Sequence, residues 1–230
     1  MKKTIICAAL VCLAGFTYAQ KPTAGDVTGD VELRLQTGGD YVKVLSPNLN
    51  ARYFLKDDMA LRLSLGVSTS STSQDYTENA DGTGGTGTVE TSGSNFGIGV
   101  GIEKHFAGTD KLSPYVGAGI SFSTGSSSET WTNAEQNTSG SYGYAAATTA
   151  KFDDSNSSFG IAVNAGADYY FTNSIYLGIE VGFGFETNST GDSKGTYTSG
   201  GTTSTFLSKG GSSSGISIGA NSGLRLGFCF

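Results

Sequence analysis

Residues 95–106 read NFGIGVGIEKHF, and this stretch alternates between two kinds of side chain. Apolar residues occupy the even positions except Lys104 (Phe96, Ile98, Val100, Ile102 and Phe106), and small or polar residues stand between them (Gly97, Gly99, Gly101, Glu103 and His105). Strict alternation of this length predicts a β-strand with one apolar face and one small or polar face. The same pattern returns in FGIAVNAGADYYF (159–171), IYLGIEVGFGF (175–185) and ISIGANSGLRLGFCF (216–230).

Eight such segments can be found along the chain, roughly at 27–36, 41–55, 59–69, 95–106, 113–124, 158–171, 175–187 and 214–230. An even strand number is what bacterial outer-membrane barrels require. The connections alternate in length: 56–58, 107–111 and 172–174 are tight polar turns, whereas 70–94, 125–157 and 188–213 are long and rich in Gly, Ser, Thr and Asn. Only the first outer connection, 37–40, is short. This asymmetry predicts short periplasmic turns and long outer loops.

Aromatic residues support that orientation. One set lies beside the short turns or the C-terminus (Tyr53, Phe106, Tyr169, Phe171, Phe228 and Phe230), and a second lies beside the long connections (Phe96, Phe122, Phe159 and Phe185). Two aromatic girdles flanking an apolar band of about 25 Å are typical of transmembrane barrels. The predicted fold class is therefore all-β, an eight-stranded antiparallel up-and-down transmembrane β-barrel.

The N-terminus predicts export. Lys2 and Lys3 precede a short apolar segment, and we expect residues 1–19 to be a signal peptide cleaved after Ala19, leaving an outer-membrane barrel domain at 20–230. No later window has the 18 or more apolar residues of a membrane helix. The mature chain keeps one cysteine, Cys229, which closes no internal disulfide. The formal charge of −6 becomes −8 without the two signal lysines, which argues against nucleic acid as a partner.

If the apolar faces meet lipid, the opposite faces fill the lumen. That parity carries a predicted lumenal charge network of Glu32, Arg34, Arg52, Arg62, Glu103, Asp168, Glu180 and Arg225, with His105 nearby. The interior of an eight-stranded barrel is just wide enough for side chains to fill it, so charges there should be paired. We interpret the network as a structural plug. The alternative is a path for protons or small solutes that the network gates.

Three aromatic residues stand in the second long connection, Trp131, Tyr142 and Tyr144. They are possible contacts for an extracellular ligand, or they pack the loop on itself. We predict no catalytic residues, because the single histidine, His105, lies beside a periplasmic turn and the spacing of the loop carboxylates selects no pair. No motif predicts a metal or a cofactor.

The strand-turn-strand phrases resemble small eight-stranded outer-membrane barrel proteins common in Bacteroidota and, more loosely, OmpA and OmpX barrels of the porin type. The stretches that carry the resemblance are YFLKDDMALRLSLGV, FGIGVGIEKHF, SPYVGAGISFS, FGIAVNAGADYYFTNSIYLGIEVGFGF and LRLGFCF. The resemblance implies a bacterial outer-membrane location, contact with lipid and lipopolysaccharide, and a terminal aromatic, Phe230, that the barrel-assembly machinery reads as a signal.

Three functions fit these features. The one we prefer is a surface scaffold with long polar outer loops, serving envelope integrity or the binding of an unknown ligand. A narrow pore gated by the lumenal network is the second. The third is a soluble barrel of the lipocalin type, in which the apolar faces would point inward around an apolar ligand.

Overall fold

The computed structural model describes residues 21–38, 41–44, 48–217 and 223–230. The strands in these ranges are β1 (Val27–Gly38), β2 (Tyr41–Val44), β3 (Asn48–Lys56), β4 (Met59–Thr77), β5 (Thr86–His105), β6 (Leu112–Gln136), β7 (Tyr142–Tyr170), β8 (Ile175–Thr190), β9 (Ser193–Ser199), β10 (Thr202–Ser208), β11 (Ser212–Ser217) and β12 (Gly223–Cys229). The predicted signal peptide, residues 1–19, and the side chain of Arg34 lie outside what the structure describes.

Eight strands close into one antiparallel ring. Starting from β1, the order of hydrogen-bonded neighbours is β3, β4, β5, β6, β7, β8 and β12, and β12 pairs with β1 again. The last pairing joins Thr28 to Cys229 at one end and Arg34 to Gly223 at the other. The predicted eight-stranded barrel is confirmed. No described helix is long or apolar enough to cross a membrane.

The alternation decides which side chains face outward. Along β5, Ile98, Val100 and Ile102 leave 39% to 47% of their surface exposed, whereas Glu103 and His105, which follow them on the other face, are buried. The same holds around the ring, so the apolar faces form the outer surface and the charged faces fill the lumen. This polarity suits lipid outside the barrel and is the reverse of the one that the soluble ligand-binding alternative needs.

The segments predicted as long loops differ from the prediction, because most of their residues are in strands. β4 and β5 run on to a turn at 78–85, β6 and β7 to a turn at 137–141, and β9 and β10 form a hairpin of their own. These segments lack Pro and are rich in Thr, a residue that favours strands. Their outward faces are polar and their inward faces carry apolar residues at scattered positions, such as Val89, Trp131 and Ala150, so no long apolar alternation marks them as strands.

Together these outward segments form a sheet that we call the outer wall, made of β4 (from Ser68), β5 (to Asn95), β6 (from Thr124), β7 (to Ser157), β9 and β10. β9 takes over from β8 as the neighbour of β7, pairing Asp153 with Lys194. Among the described residues, the wall ends at β10 on one side and at the outer part of β4 on the other. It is open above β1 and β2, which pair with each other only as far as Gly38 and Tyr41.

The apolar band predicts that the cost of an arginine on the outer surface depends on its depth in the membrane. Val100 lies midway between the girdles, whereas Val67 pairs with Phe96 at the level of the outer girdle. We expect Val100→Arg to lower the free energy of unfolding by about 2–4 kcal/mol and Val67→Arg by about 0–1 kcal/mol, because an arginine near the interface reaches water. Urea unfolding in lipid vesicles measures both values. Equal costs would contradict the placement of Val100 in the hydrocarbon layer.

Candidate functional site

The inner half of the lumen holds a network of ion pairs around Asp168. The Asp168 carboxylate accepts from Arg52 (Nη1 to Oδ2, 2.7 Å) and from Arg225 (Nη2 to Oδ1, 2.6 Å). All three side chains are completely buried. One carboxylate on β7 therefore bridges two guanidinium groups from β3 and β12, the two strands that flank β1.

A second carboxylate extends the network outward. Glu103 lies 2.8 Å from Arg52 Nε through Oε2 and 3.2 Å from Arg62 Nη1 through Oε1. Arg52 and Arg62 stand directly opposite each other on β3 and β4, a repulsive arrangement unless anions lie between them. Arg62 also binds Glu180 (Nη1 to Oε2, 2.6 Å) and lies 3.5 Å from Glu32. The structure thus brings together seven of the eight residues predicted for the lumenal network, and the eighth is Arg34.

Three further residues belong to this network although the sequence reasoning did not select them. Tyr115 donates to Glu180 Oε2 at 2.6 Å, and Tyr176 donates to Asp30 Oδ2 at 2.7 Å. The Arg52 and Arg225 guanidinium carbons lie 5.2 and 5.1 Å from the centre of the Tyr115 ring, within the range of cation–π attraction. The alternation in the sequence places Tyr115 and Tyr176 on the inward face, but it does not show that their hydroxyl groups bind carboxylates.

Glycines on the neighbouring strands make room for these groups. Tyr115 is paired with Gly166 and Tyr176 with Gly227, and in each case a Cβ on the glycine would come within 2.3 Å of the tyrosine ring or its hydroxyl. Gly178 stands between Asp168 and Arg225 in the register, where a Cβ would lie 2.4 Å from Asp168 Oδ1. The ion pair therefore lies flat across a strand that has no side chain there.

The inner end of the lumen is closed below the network. His105 donates to or accepts from Ser113 (Nδ1 to Oγ, 2.9 Å), and its ring packs between Phe54 and Tyr115 with centroid distances of 5.2 and 5.3 Å. Tyr170 stacks on Tyr176 at 5.3 Å. Within the described ranges, no group of His, Cys, Asp and Glu has the arrangement of a metal site.

Above the network the lumen widens into a vestibule that opens outward. The cavity has a volume of about 420 Å³. Its floor is formed by Arg62, Glu103 and Glu180, and its walls present mainly small or polar inward residues (Ser64, Gly97, Gly99, Gly119, Ser121, Ser123, Gly160, Asn164, Gly182 and Glu186). Arg62, at 11% exposure, is the network guanidinium that the vestibule reaches.

The predicted contact aromatics lie on the concave face of the outer wall. Trp131 is buried against Phe152 and Tyr142, at centroid distances of 5.0 and 5.5 Å, and its indole N–H donates to Glu129. The Tyr142 hydroxyl donates to the same carboxylate at 2.6 Å, which raises the pKa of Tyr142 to about 12. These contacts favour the packing interpretation for Trp131.

Tyr144 lies nearer the tip of the wall than Trp131, half-buried against Gly85, where a Cβ would meet its hydroxyl at 2.1 Å. Phe230, the predicted assembly signal, stands at the other end of the barrel. Its ring is 74% exposed, and its backbone N–H donates to Val27 at 2.9 Å.

Comparison with known proteins finds one family model that matches this chain. A family model described as "Putative OmpA-OmpF-like porin family" matches residues 33–195. No curated protein sequence matches the chain.

Several solved structures are similar to this chain. The N-terminal β-barrel domain of Pseudomonas aeruginosa OprF is 18% identical with a TM-score of 0.41, covering 91% of this chain and 100% of that one. OprG from the same organism is 12% identical with a TM-score of 0.38, covering 92% and 99%. Ail of Yersinia pestis is 12% identical with a TM-score of 0.37, covering 90% and 99%.

The ion pairs predict that replacing two different aspartates changes the free energy of unfolding by very different amounts. Asp168→Asn leaves Arg52 and Arg225 buried without their shared anion, and we expect a loss of about 3–5 kcal/mol in the free energy of unfolding. Asp153→Asn breaks an exposed pair with Lys151 (2.8 Å) and should leave stability nearly unchanged. Urea unfolding in vesicles compares them. A similar, small effect of both changes would show that the Asp168 network does not stabilise the barrel.

Two lumenal glycines form a second matched pair. Gly178→Ala forces the Asp168–Arg225 pair to move and should cost about 1–3 kcal/mol. At Gly97 a Cβ would meet its nearest atom at 3.7 Å, an ordinary contact. Gly97→Ala should therefore be neutral or stabilise by up to about 1 kcal/mol, because glycine is entropically costly in a strand. The same unfolding assay measures both variants. A Gly178→Ala variant as stable as the unchanged protein would contradict the close packing of the Asp168–Arg225 pair against Gly178.

Proposed function

This chain belongs to the OmpA-OmpF-like porin family and is a β-barrel protein of the bacterial outer membrane, and we propose that it acts there as a closed scaffold that holds the outer wall above the membrane. In this role the barrel anchors and orients a sheet rather than conducting solutes. The sheet is the part of the protein that meets the surroundings of the cell.

One observation carries this proposal. The inner half of the lumen is filled by Arg52, Asp168, Arg225, Tyr115 and Tyr176, each exposed by 2% or less. An eight-stranded ring has little interior space, and here charged and aromatic side chains occupy it from wall to wall. The vestibule of about 420 Å³ ends on Arg62, Glu103 and Glu180 above this layer, so water that enters from outside meets a packed floor.

The exterior of the barrel supports the partners that we propose. The exposed apolar band would contact lipid, and the outward face of the wall, with residues such as Ser71, Ser92, Ser128 and Ser155, would lie among the sugars of lipopolysaccharide. Serine and threonine hydroxyls donate and accept hydrogen bonds as sugar hydroxyls do. Cleavage after Ala19 and reading of Phe230 by the assembly machinery stay predictions.

The gated pore remains the second candidate, and the vestibule is the observation that favours it. Water reaches Arg62, whose movement would uncover Glu103 and Glu180. A pore of this kind would need the deeper layer around Asp168 to open as well. Because Arg52 and Arg225 share Asp168 there and Arg52 also pairs with Glu103, we expect such opening to be rare.

Conductance in planar bilayers tests the closed scaffold. We expect the refolded protein to show no steady channel, and a double variant, Asp168→Ser with Arg225→Ser, to show one. The two changes remove one negative and one positive side chain together, and Arg52 keeps Glu103 as its partner at 2.8 Å. A shift in gel mobility between unheated and boiled samples confirms that both proteins are folded. Steady conductance of the unchanged protein, equal to that of the double variant, would favour the pore.

A further inference from the structure

The vestibule above the ion-pair network has the size of a small-molecule site. Its volume of about 420 Å³ lies within the range of about 300–1,000 Å³ that such sites occupy. The packed layer around Asp168 closes the lumen below it. A molecule therefore reaches the vestibule from outside the cell, so that any binding there rests on the proposed closed scaffold.

The glycines on the walls of the vestibule differ from those deeper in the lumen. Deeper in, the Tyr115 ring lies over Gly166, so the missing side chain makes room for a large group of the protein itself. At Gly97 and Gly99 in the vestibule, the nearest atoms to a Cβ would belong to serine side chains and to the backbone, at 3.7 Å or more and 3.4 Å or more. Glycine weakens a strand, and within strands it often marks a place where a ligand approaches the backbone.

The side chains that face the vestibule are polar or very small. The large apolar residues that border it, such as Ile98, Phe122 and Val163, point to the outer surface of the barrel and contribute their backbone. Ser64 on β4 and Ser121 on β6 flank Gly99 in register and point inward with it. Serine hydroxyls both donate and accept hydrogen bonds. The walls therefore suit a molecule that carries hydroxyl groups rather than an apolar one.

The floor of the vestibule presents both signs of charge side by side. Arg62 Nη1 binds Glu180 Oε2 at 2.6 Å and Glu103 Oε1 at 3.2 Å. Its Nη2 makes a longer contact of 3.5 Å with Glu32, and a guanidinium carries more N–H groups than these contacts use. An added cation would meet Arg62, and an added anion would meet Glu103 and Glu180. A neutral hydroxyl suits both, because it accepts from a guanidinium and donates to a carboxylate.

We propose that the vestibule binds a neutral sugar unit. Its hydroxyl groups would contact Arg62 and Glu180 on the floor and Ser64 and Ser121 on the walls, and its ring would lie against the bare backbone at Gly99. A sugar fits this combination because its hydroxyl groups point in several directions, carry no charge, and both donate and accept hydrogen bonds. This chemistry has two sources at a cell surface, a free sugar and the end of a polysaccharide chain.

Filling the vestibule with a side chain tests the proposal. Ala162 lines the cavity and stands in register between Gly119 on β6 and Gly184 on β8. A phenylalanine there can lie across a glycine as Tyr115 does, so we expect Ala162→Phe to fold and to weaken sugar binding by about tenfold or more, because its ring occupies the space of the ligand. Val163→Phe, on the lipid-facing side of the same strand, should leave binding unchanged.

The binding measurement is a saturation-transfer NMR titration of the protein in lipid nanodiscs, with empty nanodiscs as the blank. Detergents with sugar headgroups are avoided because they would compete. The probes are glucose, galactose, mannose and N-acetylglucosamine, taken in turn. Glucosamine and glucuronate carry a positive and a negative charge on the same ring as glucose. Each should bind about tenfold more weakly than the best neutral sugar, because one charge of the floor then lies against a like charge.

Two further arms complete the test. Ser121→Ala removes one wall hydroxyl with little change in shape and should weaken binding by about three- to tenfold, which provides a second variant should Ala162→Phe fail the gel-mobility test for folding. Delipidated polysaccharide from the host that displaces the bound monosaccharide identifies a chain end as the source, and polysaccharide that does not displace it identifies a free sugar.

Three results would overturn the inference: no binding of any of the four neutral sugars, unchanged binding by both the folded Ala162→Phe and the Ser121→Ala variants, or tighter binding of a charged sugar than of the neutral ones. The conductance test reads the closed layer around Asp168 separately. A barrel that conducts steadily and still binds a neutral sugar would contradict the closed scaffold and support the vestibule site.

Discussion

Closure of the backbone hydrogen bonds is the constraint on which the rest of this structure depends. A strand in hydrocarbon has no water to satisfy its N–H and C=O groups, so a sheet survives there only if its first and last strands meet. In this chain β1 and β12 meet over seven residue pairs, from Thr28–Cys229 to Arg34–Gly223. Once the ring is closed, its outside must be apolar, and its inside becomes the place where polar groups collect.

The small interior then decides how the polar groups are arranged. Three arginines and their carboxylates fit because glycines stand where neighbouring strands would otherwise project side chains, as at Gly178 beside Asp168 and Arg225. Aromatic rings laid over glycines recur as Tyr115 on Gly166 and Phe206 on Gly195. At these positions glycine therefore provides room for a large group that lies across the strand.

The sequence predicted the barrel well, because a lipid-facing strand must alternate between apolar and polar residues. The parity that located Arg52, Glu103 and Asp168 needed no knowledge of their contacts. The sequence-based prediction did not include Asp30, Tyr115 and Tyr176. An inward tyrosine can be an apolar packing residue, and the alternation does not show that its hydroxyl binds a carboxylate, such as that of Asp30. The outer wall was missed for another reason. Its outward face is rich in Ser and Thr, and its inward face has few apolar residues besides the cluster around Trp131, so the regular alternation of a lipid-facing strand is absent.

The outer wall and the closed ring can be followed by two separate measurements, because the tryptophan of the aromatic cluster lies only in the wall. Its single tryptophan, Trp131, lies in the wall, well outside the apolar band, whereas the closure of the ring resides in β1 and β12. Intrinsic tryptophan emission therefore follows the assembly of the wall, and resistance to unfolding in detergent follows the ring. A chain whose barrel had inserted before its wall was ordered would be visible as a state with one signature and not the other.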